Sequence, residues 1–395
     1  MTAPAQMRIL HVTRERDADR RYGLGKSLSP VVDELRAQGH WVQYVCQSDL
    51  SALERSRMEA MQLFWARLLS RLPQRFGNLN LIVWAAIERM AMGRCAVRIA
   101  REEDVTHIHC HDPWIAAGVR KSLGNDESIA WGITQHGFGS YANAHRDEGI
   151  AIGRRLLHWL HDWERRTLER ASWVIAPTPS CLTQLVRDLG LYSQPAHWHS
   201  VPHPRPAINH YEYLHARNLL GWKAHELHIV GVGRFALMKR FPMMIEACAE
   251  VSRKFDVRLT ILGEGDPTPL LTTAQECGFS DRLTLTVTDD IGLYLAATDL
   301  YLSTSATESF GMANLEALVA GAPVICLVGG ATADVIGQGG WLIPGDKVCL
   351  VDTILALLSN PAESVLWRHR SQCRGNQWPC RSSIAKRYAD IYSLA

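Results

Sequence analysis

The chain is 395 residues long, 47% hydrophobic and 21% charged. At ~150 residues per domain this is material for two full cores, which excludes a disordered or disulfide-stapled chain. A total of 42 Lys and Arg against 40 Asp and Glu gives a formal charge of +2, which argues against a dedicated nucleic-acid binder and leaves room only for a local basic patch. The ten cysteines form no Cys-x-x-Cys pair and lie in apolar surroundings, the pattern of reduced, buried thiols in a cytosolic protein. The first residues lack the basic-then-apolar pattern of a secretory signal. The uncharged run 317–333 is cut by Gly321, Pro323, Gly329 and Gly330, well short of the ~20 apolar residues that span a bilayer. The expectation is a cytoplasmic protein, at most attached to the inner face of the cell membrane.

Short β-branched runs alternate with longer amphipathic stretches, as in βαβ units and parallel sheets. Residues 8–12 read as a strand, followed by a glycine loop and a helix over about 26–37. Further strands are predicted at 41–46, 105–109, 129–134 and 173–175. Residues 201–209, VPHPRPAIN, carry three prolines, which stiffen an extended connection and do not fit a central strand. The pattern then restarts, with strands at 227–232, 257–262, 283–287, 300–303 and 324–327 and helices such as 242–254 and 312–320. The order predicts an α/β protein of two Rossmann-like, doubly wound domains, 1–205 and 206–375, followed by a C-terminal helix within 376–395. Two such sheets facing one another have an interdomain cleft, and ligands bind beyond the carboxyl ends of the strands.

The stretch 303–322, STSATESFGMANLEALVAGA, holds Glu308 and Glu316, with Ser309, Phe310 and Gly311 after the first. A helix starting near Gly311 places Glu308 in the preceding loop and Glu316 in its second turn. Its unpaired N-terminal amides form an anion site beside Glu308. Phosphates would bind the amides while the carboxylates accept from sugar or ribose hydroxyls. Spacing alone leaves two other readings open: a general acid and base, as in glycosidases, or an acidic helix start that complements the dipole. Residues 231–239, GVGRFALMK, carry Gly233, Arg234 and Lys239 past the end of a strand. A guanidinium fork and an ammonium there suit phosphate oxygens; the plainer reading is a loop with solvated charges. The strand at 257–262 likewise runs into Gly263, Glu264 and Gly265, where glycines permit close approach of a flat group.

On these motifs the second half resembles a retaining glycosyltransferase of family 4, of the Glu-x7-Glu type and GT-B architecture. The matching segments are GVGRF through Lys239, LTILGEG (259–265), YLAATDLYLSTS (294–305) and Glu308 to Glu316; in the first half, HCHD (109–112) and TQHGFGS (134–140) match more weakly. The resemblance implies a hexosyltransferase using a UDP- or GDP-linked sugar, with a saccharide acceptor that is lipid-linked in polysaccharide or glycolipid synthesis, or else a small soluble glycoside. It implies that Arg234 and Lys239 hold the diphosphate, Glu308 the transferred sugar and Glu316 the ribose. Ser309 and the backbone amides of Phe310, Gly311 and Met312 would face sugar and phosphate. Gly23 and Gly25 would let the first helix approach the diphosphate, and His136 would lie near the anomeric carbon. The final helix, 382–392, would cross back to the first domain. The chain departs from the family where Tyr22 precedes Gly23 in place of two adjacent glycines, and where His203-Pro204-Arg205-Pro206 replaces Asn-Gly-Val-Asp. Configuration would be retained by front-face attack, the departing phosphate taking the acceptor proton, with no protein nucleophile, metal or cofactor.

Weaker patterns point elsewhere. His107, His109 and His111 alternate along a strand and so face one side. Three imidazoles suit zinc and would make a metal-dependent hydrolase. The alternative is a strand end with His111, Asp112 and Trp114 on the acceptor side, Trp114 stacking on a sugar ring. Residues 51–101 hold nine Arg and three Glu, interleaved with Phe64, Trp65, Leu68, Leu69 and Leu72. Such a segment lies on anionic lipid as a peripheral membrane surface or covers the first core with solvated arginines. A non-catalytic membrane-surface scaffold is also compatible with it. Trp159, Trp163 and Trp173 read as core or seam residues.

Overall fold

The computed structural model describes residues 6–16, 23–71, 77–147 and 149–395; Tyr22 and Leu72 lie outside them. The chain divides into two compact units, Met1–Pro204 together with Pro379–Ala395, and Arg205–Trp378. The second boundary falls three residues later than the composition suggested.

The first unit opens with β1 (Arg8–Val12), α1 (Gly23–Ala37), β2 (Trp41–Val45), α2 (Ala52–Leu69) and α3 (Gly77–Glu102). It continues with β3 (His107–Cys110), α4 (Pro113–Leu123), β4 (Ala130–Thr134), α5 (Tyr141–Asp147) and α6 (Arg154–Leu168). Its last elements before the connection are β5 (Trp173–Ala176), α7 (Pro179–Asp188) and β6 (Trp198–Ser200). All pairings are parallel, in the order β2-β1-β3-β4-β5-β6. The chain leaves β1 toward β2 and returns on the other side at β3, so the switch point lies between β1 and β3, where the loops diverge and leave room for a ligand.

The second unit runs α8 (Tyr213–Leu220), β7 (Leu227–Val232), α9 (Phe241–Val251), β8 (Val257–Leu262) and α10 (Thr268–Glu276). Then come β9 (Leu283–Thr286), α11 (Ile291–Ala297), β10 (Leu300–Ser303), α12 (Met312–Ala320) and β11 (Val324–Leu327). It closes with α13 (Thr332–Ile336), β12 (Trp341–Ile343), α14 (Lys347–Leu358) and α15 (Pro361–Asn376). The parallel order β12-β11-β10-β7-β8-β9 puts this switch point between β7 and β10. The central strands β10 and β11 are buried at every residue. Helices cover both faces of such a sheet, and the strands therefore read as continuous apolar runs.

The last helix, α16 (Arg381–Tyr392), belongs to the first unit. Ile384, Ala385, Tyr388, Ile391 and Tyr392 join Ile9, Val32, Leu35 and Trp173 in one core. Helix starts follow local chemistry: Ser51 and Glu54 form a reciprocal capping box on α2, and Asp112 and Thr178 each cap a helix whose next residue is proline.

Some expectations shift. The glycine loop expected before α1 is shorter, because Gly23 and Gly25 already belong to the helix. Strand β3 begins at His107, two residues late, and the short strands β6 and β12 were not anticipated. Among the described residues no single helix is long and apolar enough to cross a membrane.

Gly132 of β4 lies opposite Trp173 of β5, and a Cβ on it would stand 2.2 Å from the indole. Trp173 is fully buried and has nowhere to go. Gly132→Ala is expected to destabilise the first unit by about 1–3 kcal/mol through overpacking, read as a lowered midpoint in urea with an unchanged slope.

Candidate functional site

In the second unit three loops meet beyond the carboxyl ends of the neighbouring strands β7, β10 and β11. The loop after β10 is sewn to the turn 237–239: the Thr304 hydroxyl donates to the Lys239 and Arg240 carbonyls at 2.7 and 3.2 Å, and the Ala306 amide to the Met238 carbonyl at 2.7 Å. On the other side the Ala331 amide donates to the Glu308 carbonyl at 2.7 Å. A Cβ on Gly330 would come within 2.3 Å of that same carbonyl oxygen. These ties bring the Lys239 ammonium to 2.5 Å from the Glu308 carboxylate, across the switch point. Gly311, in the left-handed region at φ 81°, turns the chain into α12, whose first amides have no intrahelical acceptor.

The residues singled out in this half divide into groups. Lys239, Glu308 and Gly311 are brought together, with half-buried Ser309 and Met312 flanking Gly311. Arg234 is exposed on the loop after β7. Glu316 is buried in the second turn of α12, and the Phe310 side chain is buried against Trp378 with ring centroids 5.6 Å apart. The Phe310 side chain is therefore closed to a ligand. The glycines after β7 and β8 have another cause than expected. A Cβ on Gly263 would lie 1.9 Å from the Gly233 carbonyl oxygen, and one on Gly265 2.7 Å from Cβ of Phe235. Gly263 and Gly265 are therefore small because two strand-end loops abut one another, whereas a Cβ on Gly233, at φ 149°, would stand 2.9 Å from the Lys239 side chain.

In the first unit a cavity of about 170 Å³ opens beyond β3 and β4, lined by Arg14, His111, Asp112, Gln135, His136 and Tyr141 among others. Asp112 accepts from the Trp114 amide at 2.8 Å and pairs with the buried Arg89 guanidinium at 3.1 Å. Beneath this floor Glu164 is fully buried. It accepts from the Tyr141 amide at 2.9 and 3.0 Å and from the Gln135 side chain at 2.5 Å. Burial outweighs these donors and pushes its carboxyl up to about 8.

Three expectations are corrected here. Trp114 does not face the cavity; it stacks on Trp163 at 3.7 Å inside a core with Ile82, Tyr141 and Leu160. The amide of Gly25 is taken by the Glu15 carboxylate at 2.8 Å. The histidine triple is not the one expected. His107 bonds Thr106 and the Tyr392 carbonyl, and the residue beside His109 and His111 is His11 of β1. All six ring nitrogens of His11, His109 and His111 engage one another, His136 or a hydroxyl, which is a hydrogen-bonded chain and not an open ligand set.

His11, Arg89, Tyr141, Glu164 and Tyr392 escaped sequence reasoning. One signal existed: Leu160, Glu164, Thr167 and Leu168 share the buried stripe of α6, so Glu164 is a carboxylate at an apolar helix position.

Two parallel, doubly wound units with polar groups at both switch points define the GT-B class of glycosyltransferase folds. Comparison with known proteins agrees. The family model described as "Glycosyltransferase Family 4" matches residues 23–204, and that of "Glycosyl transferases group 1" residues 226–360; the chain belongs to the family 4 glycosyltransferases. Over 145 residues it is 30% identical to N-acetyl-alpha-D-glucosaminyl L-malate synthase of Bacillus anthracis, covering 35% of this chain and 38% of that one. The chain spans about half or less of the length of the first curated relatives it matches. Sucrose-phosphate synthase of Thermosynechococcus elongatus superposes with a TM-score of 0.75 at 18% identity, covering 98% of each chain. Anabaena HepE in complex with UDP and glucose gives 0.69 at 16%, covering 98% and 100%. No finding supports the hydrolase alternative.

A carboxyl whose folded value lies above its unfolded one favours the fold at low pH and loses that contribution as pH rises toward about 8. Glu164→Gln keeps the shape and removes the titration. The difference in melting temperature, variant minus wild type, is expected to grow steadily from pH 5 to pH 8; thermal melts across that range check it.

Proposed function

We propose that the chain transfers a hexose from a nucleotide-diphosphate sugar to a saccharide acceptor, with retention of configuration. The observation that carries this reading is the Lys239–Glu308 pair held across the second switch point at the start of α12. Breaking the bond to the sugar puts negative charge on the departing diphosphate, and donors already in place stabilise that charge most in the transition state. An ammonium has three donors, so Lys239 can keep Glu308 and still take a phosphate oxygen. Arg234 adds a guanidinium, and the first amides of α12 add partial positive charge. Glu308, oriented by Lys239, accepts from hydroxyls of the transferred sugar, and Glu316 supports the ribose side. With cationic side chains and amides in this role, no metal or cofactor is assigned. HepE, which shares the fold, holds UDP and glucose in its complex, so UDP-glucose is the first donor to test, ahead of GDP-linked sugars. The acceptor is assigned to the cavity of the first unit, with His111, Asp112 and His136 at its wall.

Replacing Lys239 with Met or Glu308 with Gln is expected to lower transfer ~100-fold in variants that still unfold in one cooperative transition. Full activity in both variants, measured by release of nucleoside diphosphate with acceptor present, refutes the assignment.

A lipid-linked acceptor at the inner face of the membrane is favoured by α2. Of its eighteen residues only Met58 and Gln62 are buried, while Leu63, Phe64 and Leu68 are 53%, 62% and 43% exposed. A groove of about 590 Å³ beside them is lined by Arg57, Met61, Phe64 and Arg94 among others. Apolar side chains rimmed by arginines suit anionic headgroups over acyl chains. The chain is expected to co-sediment with phosphatidylglycerol-containing vesicles at low salt and to lose this in Phe64→Ser/Trp65→Ser. A wild-type chain that stays in the supernatant ends the membrane reading.

A further inference from the structure

His11 lies beside the end of β1, in register with His109 on β3. His111 and His136 follow just past β3 and β4. The rings stack in series, with centroids 5.0 Å apart for His11 and His109, 4.6 Å for His109 and His111, and 5.2 Å for His111 and His136. Their nitrogens form a chain. Nε2 of His136 lies 2.9 Å from Nδ1 of His111, whose Nε2 lies 3.0 Å from Nδ1 of His11. Nε2 of His11 lies 3.4 Å from the Tyr392 hydroxyl, which is 2.6 Å from Nδ1 of His109; Nε2 of His109 is 2.7 Å from the Thr134 hydroxyl.

Burial keeps these rings uncharged: it holds His11 down to about 3, and His109, His111 and His136 well below the ordinary histidine value. A neutral imidazole has one N–H and one lone pair, so each nitrogen–nitrogen contact needs one protonated and one bare partner. His111 makes two such contacts. A proton on its Nε2 requires a bare Nδ1 on His11 and a proton on Nε2 of His136; a proton on its Nδ1 reverses all three rings at once. The Tyr392 hydroxyl, with one proton, decides the direction. A phenol O–H is a stronger donor than an imidazole N–H, and a bare imidazole nitrogen a stronger acceptor than a phenol oxygen. The hydroxyl therefore donates to the nearer nitrogen, Nδ1 of His109 at 2.6 Å against 3.4 Å for Nε2 of His11, and its oxygen accepts from the latter. Every ring in the chain then carries its proton on Nε2, and Nδ1 of His136 is left as a bare acceptor.

We propose that His11, His111 and Tyr392 are positioning residues that lock His136 in the Nε2–H tautomer, so that its Nδ1 accepts a hydrogen bond from a hydroxyl of a saccharide substrate. The substrate half of this inference rests on the sugar-transfer reading; the tautomer half does not. Which nitrogen of a histidine is protonated is set by the hydrogen bond its other nitrogen makes, and here that bond is traced through two rings to a tyrosine on the last helix.

The test is 15N NMR of the full chain, labelled in histidine, at neutral pH, with His11→Phe and Tyr392→Phe beside it. In the wild type His11, His109, His111 and His136 are expected to be neutral with the proton on Nε2. In either variant His136 is expected to become a mixture of tautomers, and kcat for transfer to fall roughly tenfold or more with the KM for donor little changed. A charged His136, opposite tautomers on neighbouring rings, or an unmixed His136 in a folded variant overturns the proposal. Tyr392→Phe conserves the ring and supplies the folded variant if His11→Phe does not. Because the tautomers are read without turnover, a correct pattern in a chain that transfers no sugar counts against the function and leaves the histidine chain standing.

Discussion

A lysine and a glutamate meet where two parallel strands of the second unit part company, and the loops around them are arranged about that pair. Lys239 and Glu308 are both mostly withdrawn from water, and each charge is tolerable there because the other is present. The two loops that carry them, and the loop after β11, are tied by hydrogen bonds from the Thr304 hydroxyl and the Ala306 and Ala331 amides. The pair is thus fixed before any ligand arrives. An arrangement of that kind loses little to reorganisation when charge develops beside it, and the position of α12 follows from the same ties.

The first unit solves a similar problem with neutral groups. Glu164 is kept protonated by burial, and His11, His109, His111 and His136 are kept unprotonated by it. Arg89 and Asp112 are the exception, a buried ion pair under the cavity. Unmade hydrogen bonds in such a place are costly, and the rings and hydroxyls therefore satisfy one another in sequence up to His136 at the cavity. One unit offers a preset charge and the other a set of oriented neutral dipoles.

What could be read in advance tracks how local its cause is. The strands at 8–12, 227–232, 257–262, 300–303 and 324–327, and the helix at 312–320, were legible to the residue, because a strand buried on both faces is an uninterrupted apolar run between turn residues. Strands β6 and β12, three residues each, carry too little pattern. The Glu308 and Lys239 motifs were visible as single loops, but their pairing was not, since it depends on how β7 and β10 neighbour one another. His11 was passed over for the same reason: its partner in register lies on another strand, while His107 was nearer in sequence. Trp114 looked like a sugar platform because an aromatic at a strand end fits that role; Trp163, from α6, covers it. Gly233 and Gly263 looked like ligand-facing gaps; Gly263 makes room for the Gly233 carbonyl, and Gly233 for the Lys239 side chain.

The placement of α16 reorders synthesis and folding. Tyr388 and Tyr392 complete the core that β1, α1 and β5 begin, yet they leave the ribosome only after all of residues 205–378. The usual sequence, in which the unit made first folds first, is inverted. The earlier sheet must wait, with Trp173 and the buried histidines uncovered, until the later unit has been made, and nascent chains halted before residue 381 would present that apolar face to chaperones.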